Sequence, residues 1–141
     1  MKQVRGLVGG VAPARAARTP LSRTRVLQCA LDLVDREGVD ALSMRRLGNE
    51  LGVEAMSLYH HVSNKEAILD GLVEAVHDEL GLEELGTGPW DETLRTMARA
   101  LRSTVLRHPN ALPIVIGRAA ATSAVTLRFE RVLGVLRRDG F

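Results

Sequence analysis

Most of the chain repeats apolar residues every three to four positions, the period of a helix with one buried face. A first stripe runs through Val26, Ala30 and Leu33 and, beside it, Leu27, Leu31 and Val34. Ser22 or Thr24 can cap this helix, and Gly38 ends it, because a helix terminus favours a residue that tolerates positive φ. After the connector "VDALS", Ser43 caps a second helix, Met44 to Leu51, which buries Leu47 and Leu51 and turns Arg45, Arg46 and Glu50 outward. Gly52 allows a sharp turn into a short third helix, Glu54 to about His61, that buries Leu58 and Val62. Asn64 caps a fourth, Lys65 to about Leu80, whose stripe is Ile68, Leu72, Val76 and Leu80.

"GLEELGTGPWD" breaks the pattern with glycines and a proline and reads as a boundary. Beyond it, Asp91 to about Arg107 repeats apolar residues at Leu94, Met97, Leu101 and Val105. "HPNALP" then interrupts, since Pro109 and Pro113 cannot continue a helix interior. A last helix runs from about Ser123 to Arg138. No segment alternates in the manner of a strand, so the expected fold is all-α. The expected organisation is a flexible arm over residues 1–21, a helical unit over 22–80 and a second over 81–141.

Charge changes this picture at one end. The net charge of +2 conceals six basic and no acidic residues in positions 1–25, against 13 basic and 17 acidic in the rest, a net of −4. A basic arm ahead of a mildly acidic body suits an anionic partner. The single cysteine, Cys29, excludes an internal disulfide and reads as a small core residue in a reducing compartment. No apolar run approaches the ~18 residues of a membrane span. "MKQVRGLVGGVAPARA" is too interrupted, by Arg5 and a glycine pair, to read as a signal peptide. The expected location is the cytoplasm, with no membrane partner.

The chemistry concentrates in "MRRLGNELGVEAMSLYHHVSNKEAIL". Two short helices joined at a glycine and buttressed by the helix in front describe a helix-turn-helix over residues 43–62. In that motif the second helix enters the DNA major groove and the first crosses the backbone. Ala55 and Met56 can touch thymine methyls, and Ser57 can bond a base edge or phosphate. Tyr59, His61 and Lys65 can donate to phosphates from one flank and Arg45 from the other, with His60 exposed on the same helix.

The residues "VLQCALDLVDREGVDALSMRRLGNELGVEAMSLYHHVSNKEAILDGL" resemble the DNA-binding domain of the tetracycline-repressor (TetR-type) family. The resemblance spans about residues 24–80. It is carried by Ala30, Gly38, Leu47, Gly52-Val53, Leu58-Tyr59, His61-Val62 and Lys65-Glu66. It implies an all-helical, dimeric transcription regulator, most often a repressor, that reads a near-palindromic duplex and responds to a small molecule. The family's DNA contacts fall here on Met44, Arg45, Ala55, Met56, Ser57, Tyr59, His60, His61 and Lys65. Residues 82–141 resemble the start of the family's ligand-binding and dimerisation domain. With the apolar helix, this implies a small, largely apolar effector lined by Trp90, Leu94, Met97, Leu101 and Val105. The tetracycline repressor itself has polar or ring residues where this chain has Ala55 and Met56, so its operator preference does not carry over. It also places a drug-contacting histidine where this chain has "DELGLEE", which argues against tetracycline as ligand.

Other readings of these residues are weaker. Adjacent helical residues point ~100° apart, so His60-His61 makes a poor metal pair. His77 and His108 read as surface or cap residues. No nucleophile–base pattern or phosphate-binding glycine loop appears, so neither an enzyme nor a cofactor is expected. The Leu94 stripe can equally be plain core, and Arg137-Arg138 suits a helix C-terminus. The competing function is a helical protein-interaction module that uses the corner without DNA.

The family's dimer forms through helices late in the chain, and this sequence stops at "VLRRDGF", so the second domain is expected to be incomplete. The expected consequence is partial exposure of Leu112, Ile114, Ile116, Val125, Val132 and Leu136. Deleting residues 1–21 is expected to cost DNA affinity at low salt and little at high salt, where screening already removes the arm's contribution. Binding isotherms at two salt concentrations check this; an arm whose loss alters sequence preference would instead be reading the minor groove.

Overall fold

The computed structural model describes residues 20–81, 87–118 and 123–141, and its regular structure there is helical. The elements are α1 (Arg23–Glu37), α2 (Met44–Leu51), α3 (Ala55–Leu58), α4 (Lys65–Asp78), α5 (Trp90–Arg107), α6 (Leu112–Arg118) and α7 (Ser123–Arg138). Short 3₁₀ turns, Val39–Ala41 and Pro109–Ala111, follow α1 and α5. The expected basic arm lies outside the described residues except for Pro20 and Leu21, as do residues 82–86 of the expected boundary.

Side-chain caps start the three longer helices of the first unit. Ser22, Ser43 and Asn64 accept the backbone N–H groups of Arg25, Arg46 and Ala67 at 3.2, 3.1 and 2.8 Å. Each cap satisfies one of the amides that a helix start leaves without a partner. Thr24, the alternative start, lies inside α1. α5 lacks such a cap in its own sequence, where Pro89 precedes it. Its first amide, that of Trp90, instead donates to Asp139 Oδ2 at 2.9 Å. Trp90 also meets Phe141 edge to face, with ring centroids 4.9 Å apart, so the start of α5 and the chain segment after α7 hold each other.

One continuous core results. It includes Val26, Leu33 and Val34 of α1, Leu47 of α2, Leu58 of α3, and Ile68, Leu72 and Val73 of α4. It continues to Ala111, Ile114 of α6 and Val125 of α7. α4 packs against α1, α6 and α7, so it is the shared wall of the two units. Charged contacts fasten the second unit to it. Arg118 of α6 donates to Glu66 at 2.6 Å and Asp70 at 2.9 Å, and Arg128 of α7 donates to Asp78 at 2.7 Å.

Several expectations need correction. The α-helix expected over Glu54–His61 is only Ala55–Leu58; the chain then continues in hydrogen-bonded turns to Val62. The interruption expected at "HPNALP" contains the start of α6. Pro113 stands in its first turn, where a missing N–H costs no intrahelical bond. Ile114, Val125 and Val132 are buried rather than uncovered. Ile116 is exposed and Leu112 and Leu136 are half-buried, as expected, and Leu127, Phe129 and Leu133 are further exposed apolar side chains of this part. His77, expected at the surface, is buried.

His108, at the C-terminal end of α5, joins the two units. Its Nδ1 lies 2.7 Å from Asp35 Oδ2 of α1 and its Nε2 lies 3.0 Å from Glu79 Oε2, just beyond α4. Arg107 pairs with the same Glu79 carboxylate, and Asn110 donates to the Asp35 carbonyl at 2.9 Å. Burial pulls the imidazole's pKa down. The hydrogen bonds and charges of Asp35 and Glu79 outweigh that pull and leave it above the ordinary 6.5. A pKa raised by folding adds stability that is fully present below 6.5 and is lost as pH rises through the raised value. The melting-temperature advantage of the wild type over His108→Gln should therefore shrink across that window. A difference that stays constant with pH would show that the junction does not depend on the imidazolium. Using the difference cancels His77, whose lowered pKa acts with the opposite sign.

Candidate nucleic-acid interface and ligand cavity

The corner is built by two glycines. Gly52 ends α2 at φ 67° and ψ 35°, a left-handed conformation that a side chain disfavours. Gly48, buried inside α2, is where that helix meets the start of α3. A Cβ there would stand 2.8 Å from the Val53 carbonyl oxygen and 3.2 Å from the Ala55 nitrogen. Sequence reading found Gly52 and missed Gly48, because a mid-helix glycine announces a close approach only when the partner backbone is known.

Past the turn, Leu58 and Val62 fix the inward side of α3 and its extension; they are 0% and 4% exposed. The Val62 N–H reaches the Leu58 carbonyl at 3.0 Å, one helical turn back, so the winding persists past the last regular residue. Opposite the buried side, Met56 is 73% and Tyr59 47% exposed, and His60 is exposed beside them. Ala55, Ser57 and His61 are half-buried. Met44 is also half-buried and packs against the core, which leaves it less available than its neighbour Arg45.

The charges around the corner divide into two sets. Arg46 is held by Glu37 at 2.7 Å and Glu50 at 3.1 Å, and Arg36 reaches Glu50 at 3.3 Å. That network spends its cations internally. Arg45, at the start of α2, and Lys65, at the start of α4, make no ion pair or side-chain hydrogen bond among the described residues. The helix starts at Ser43 and Asn64 add their positive ends to those two side chains.

A cavity of about 110 Å³, partly open to solvent, lies between α4, α5 and α7. Leu80, Met97, Leu101, Val125, Phe129 and Val132 form its apolar wall, and His77 and Arg128 are its polar members. A narrower neighbour of about 20 Å³ shares His77, Leu80 and Leu101 and adds Thr104 and Val105. Of the expected lining, Met97, Leu101 and Val105 are brought to these two spaces. Trp90 and Leu94 are not; Trp90 packs on Phe141. The buried side of α5 carries Thr93 and Thr104 rather than the leucine stripe, and Leu101 is 47% exposed.

His77 and Arg128 escaped the sequence reading because nothing local says that α7 faces α4. The available signal was spacing: His77 follows buried Val73 by one helical turn. Its pKa is lowered from 6.5, by burial first and by the Arg128 charge second, with Asp78 opposing, so near neutral pH the ring is uncharged. His77 Nε2, Arg128 Nη1 and Thr104 Oγ1 are buried without a hydrogen-bond partner among the described residues. Such an atom costs on the order of 1–3 kcal/mol.

Known proteins share this architecture. Residues 26–72 match the family described as bacterial regulatory proteins, tetR family, and residues 82–141 match the tetracyclin repressor-like C-terminal domain. The HTH-type transcriptional repressor DrrR1 of Streptomyces coeruleorubidus is 34% identical over 132 residues, 93% of this chain and 49% of that protein. SCO0253, a TetR-family transcriptional regulator from Streptomyces coelicolor, is 30% identical at a TM-score of 0.72, covering 87% of this chain and 71% of that one. ActR from the same organism, solved in complex with actinorhodin, is 37% identical at a TM-score of 0.73, covering 87% and 59%. The chain spans about half the length of the curated relatives it matches.

The glycine at position 48 gives the corner a direct test. Gly48→Ala forces a methyl group against backbone that cannot rotate away, an overpacking cost of about 1–3 kcal/mol. The expected outcome is a melting temperature lower by several degrees, read by circular dichroism. A variant that melts with the wild type would mean that α2 and α3 can separate freely.

Proposed function

Because this chain belongs to the tetR family of bacterial regulatory proteins, we propose that it binds duplex DNA through residues 43–65 and regulates transcription as an effector-released repressor. The family consists of regulators rather than enzymes. The observation that carries the reading is the division of charge at the corner. Among the described residues Arg45 and Lys65 stand without internal partners beside an exposed Met56 and Tyr59, while the adjacent Arg46 is neutralised. A surface meant only for solvent or for a neutral partner has no use for that separation.

In this reading α3 enters the major groove. Met56 and the half-buried Ala55 and Ser57 meet base edges and thymine methyls, and Tyr59, His60 and His61 meet the sugar-phosphate edge. Arg45 and Lys65 grip phosphates on the two flanks, and Met44 contributes through its place at the start of α2. The protein acts in the cytoplasm as a homodimer on a near-palindromic operator, with reading helices about 34 Å apart.

The effector is a small molecule with a largely apolar body. It acts by binding more tightly to a state in which that spacing is wrong, since only differential affinity can shift the equilibrium. α4 suits the transmission: Lys65 is its first residue, Glu66 and Asp70 are gripped by Arg118 of α6, and His77 borders the cavity. The repressor DrrR1 and ActR, solved with actinorhodin, support the two halves of the reading.

The docking is tested on the best site selected from a random duplex library. Lys65→Ala and Arg45→Ala should each weaken binding to all sequences and flatten the dependence of log affinity on log salt by about one unit. Met56→Ala and Ser57→Ala should instead change which sequences are preferred. Fluorescence anisotropy across a salt series reads both effects. Unchanged affinity and slope in both cation variants would overturn the docking.

A further inference from the structure

We infer that the cavity between α4, α5 and α7 takes an apolar organic acid, whose anionic oxygen is held by Arg128 with His77 beside it. The inference rests on reading this half as the effector-binding half and names the chemical class of the effector. The wall of the cavity is hydrocarbon apart from two side chains, and each of those two has an unused nitrogen. Arg128 Nη2 donates to Asp78 Oδ1 at 2.7 Å, while Arg128 Nη1 is buried with no partner among the described residues. His77 is 9% exposed, and its Nε2 is likewise buried with no partner.

Charge selects among ligands. Asp78, the only carboxylate that pairs with Arg128 among the described residues, has a side chain 70% exposed to solvent, so water screens its hold on the guanidinium. Glu79, the next acid along, is occupied by Arg107 and His108. The cavity therefore has a positive charge and one neutral imidazole just behind its apolar walls. A cation is repelled there, and a pure hydrocarbon leaves both nitrogens unpaired. A neutral amide oxygen accepts only a neutral-strength bond. A carboxylate or ionised phenol accepts a charge-assisted bond from Nη1 and can take the imidazole N–H as well, since the tautomer follows the acceptor.

Both nitrogens are sealed from water in the free protein, so the acid reaches them only as the wall yields. Phe129 and Leu101, 55% and 47% exposed, are the loosely held parts of that wall. A ligand that must move the wall to pair the two nitrogens has the differential affinity that regulation requires.

The test uses matched probes on the 141-residue chain by titration calorimetry near neutral pH: benzoate, 2-naphthoate and anthracene-2-carboxylate, each against its carboxamide. The expected result is that at least one acid outbinds its amide by about tenfold, the scale of a charge-assisted over a neutral hydrogen bond. That preference should vanish in Arg128→Met, which keeps an apolar side chain in place, and persist in part in Arg128→Lys. Three results would overturn the proposal: no acid binds, acids and amides bind alike, or Arg128→Met keeps the preference. Should Arg128→Met fail to fold by circular dichroism, the acid–amide comparison on the unaltered chain decides alone. No arm uses DNA, so failure of the DNA-binding reading shows in the anisotropy experiment and not in this one.

Discussion

A single helix has to satisfy packing demands from both ends of this molecule, and the rest of the structure follows from that constraint. α4 lies against α1 below and against α6 and α7 above, and its buried residues Ile68, Leu69, Leu72, Val73 and Val76 belong to one uninterrupted cluster. Interiors at this density do not deform smoothly. A displacement of α7 at the cavity therefore cannot be absorbed locally in soft material; it moves α4 or breaks contacts. Because Lys65 opens the same helix, the cavity and the corner are two ends of one rigid element.

Electrostatics adds direction to that packing. The contacts that span the two units include arginines on α5, α6 and α7 reaching acids on or just after α4: Arg107 to Glu79, Arg118 to Glu66 and Asp70, Arg128 to Asp78. These acids are partly exposed, so each pair alone contributes little to stability. Their joint effect is on alignment. Four carboxylates spread from Glu66 to Glu79 index the second unit along the whole length of α4, and a register error would leave several charges unmatched at once. His108, between Asp35 and Glu79, adds the cross-tie from α1.

Much of this was legible in the sequence because the relevant physics is local. Ser22, Ser43 and Asn64 act as caps through atoms three residues away, so the starts of α1, α2 and α4 could be read directly. The Leu58–Val62 spacing gave the inward side of α3 and its extension. What failed was non-local. The most buried side of α5 falls beside the expected stripe, at Thr93 and Thr104, because the direction a helix buries depends on which neighbour packs on it, here α7 and the 109–111 turn. Trp90 was claimed for the cavity and packs on Phe141, a residue 51 positions later. His77 and Arg128 could not be paired from sequence because α5 and α6 stand between their helices in the chain. Pro113 hid α6, since a proline marks a break in an interior and a beginning in a first turn.

The exposure of Leu101 has a consequence for how such a protein can diverge. It lines the cavity and still stands 47% exposed, outside the continuous core. Substitution there changes the shape offered to a ligand while removing little packing on which folding depends, since loss of a half-exposed side chain leaves no sealed void. Ile68 and Val73, fully buried in α4, have no such latitude. Mutational tolerance is thus distributed unevenly, high on the α5 side of the cavity and low on α4. A lineage built on this plan can vary the lining of the cavity without rebuilding the helix that ties it to the glycine corner.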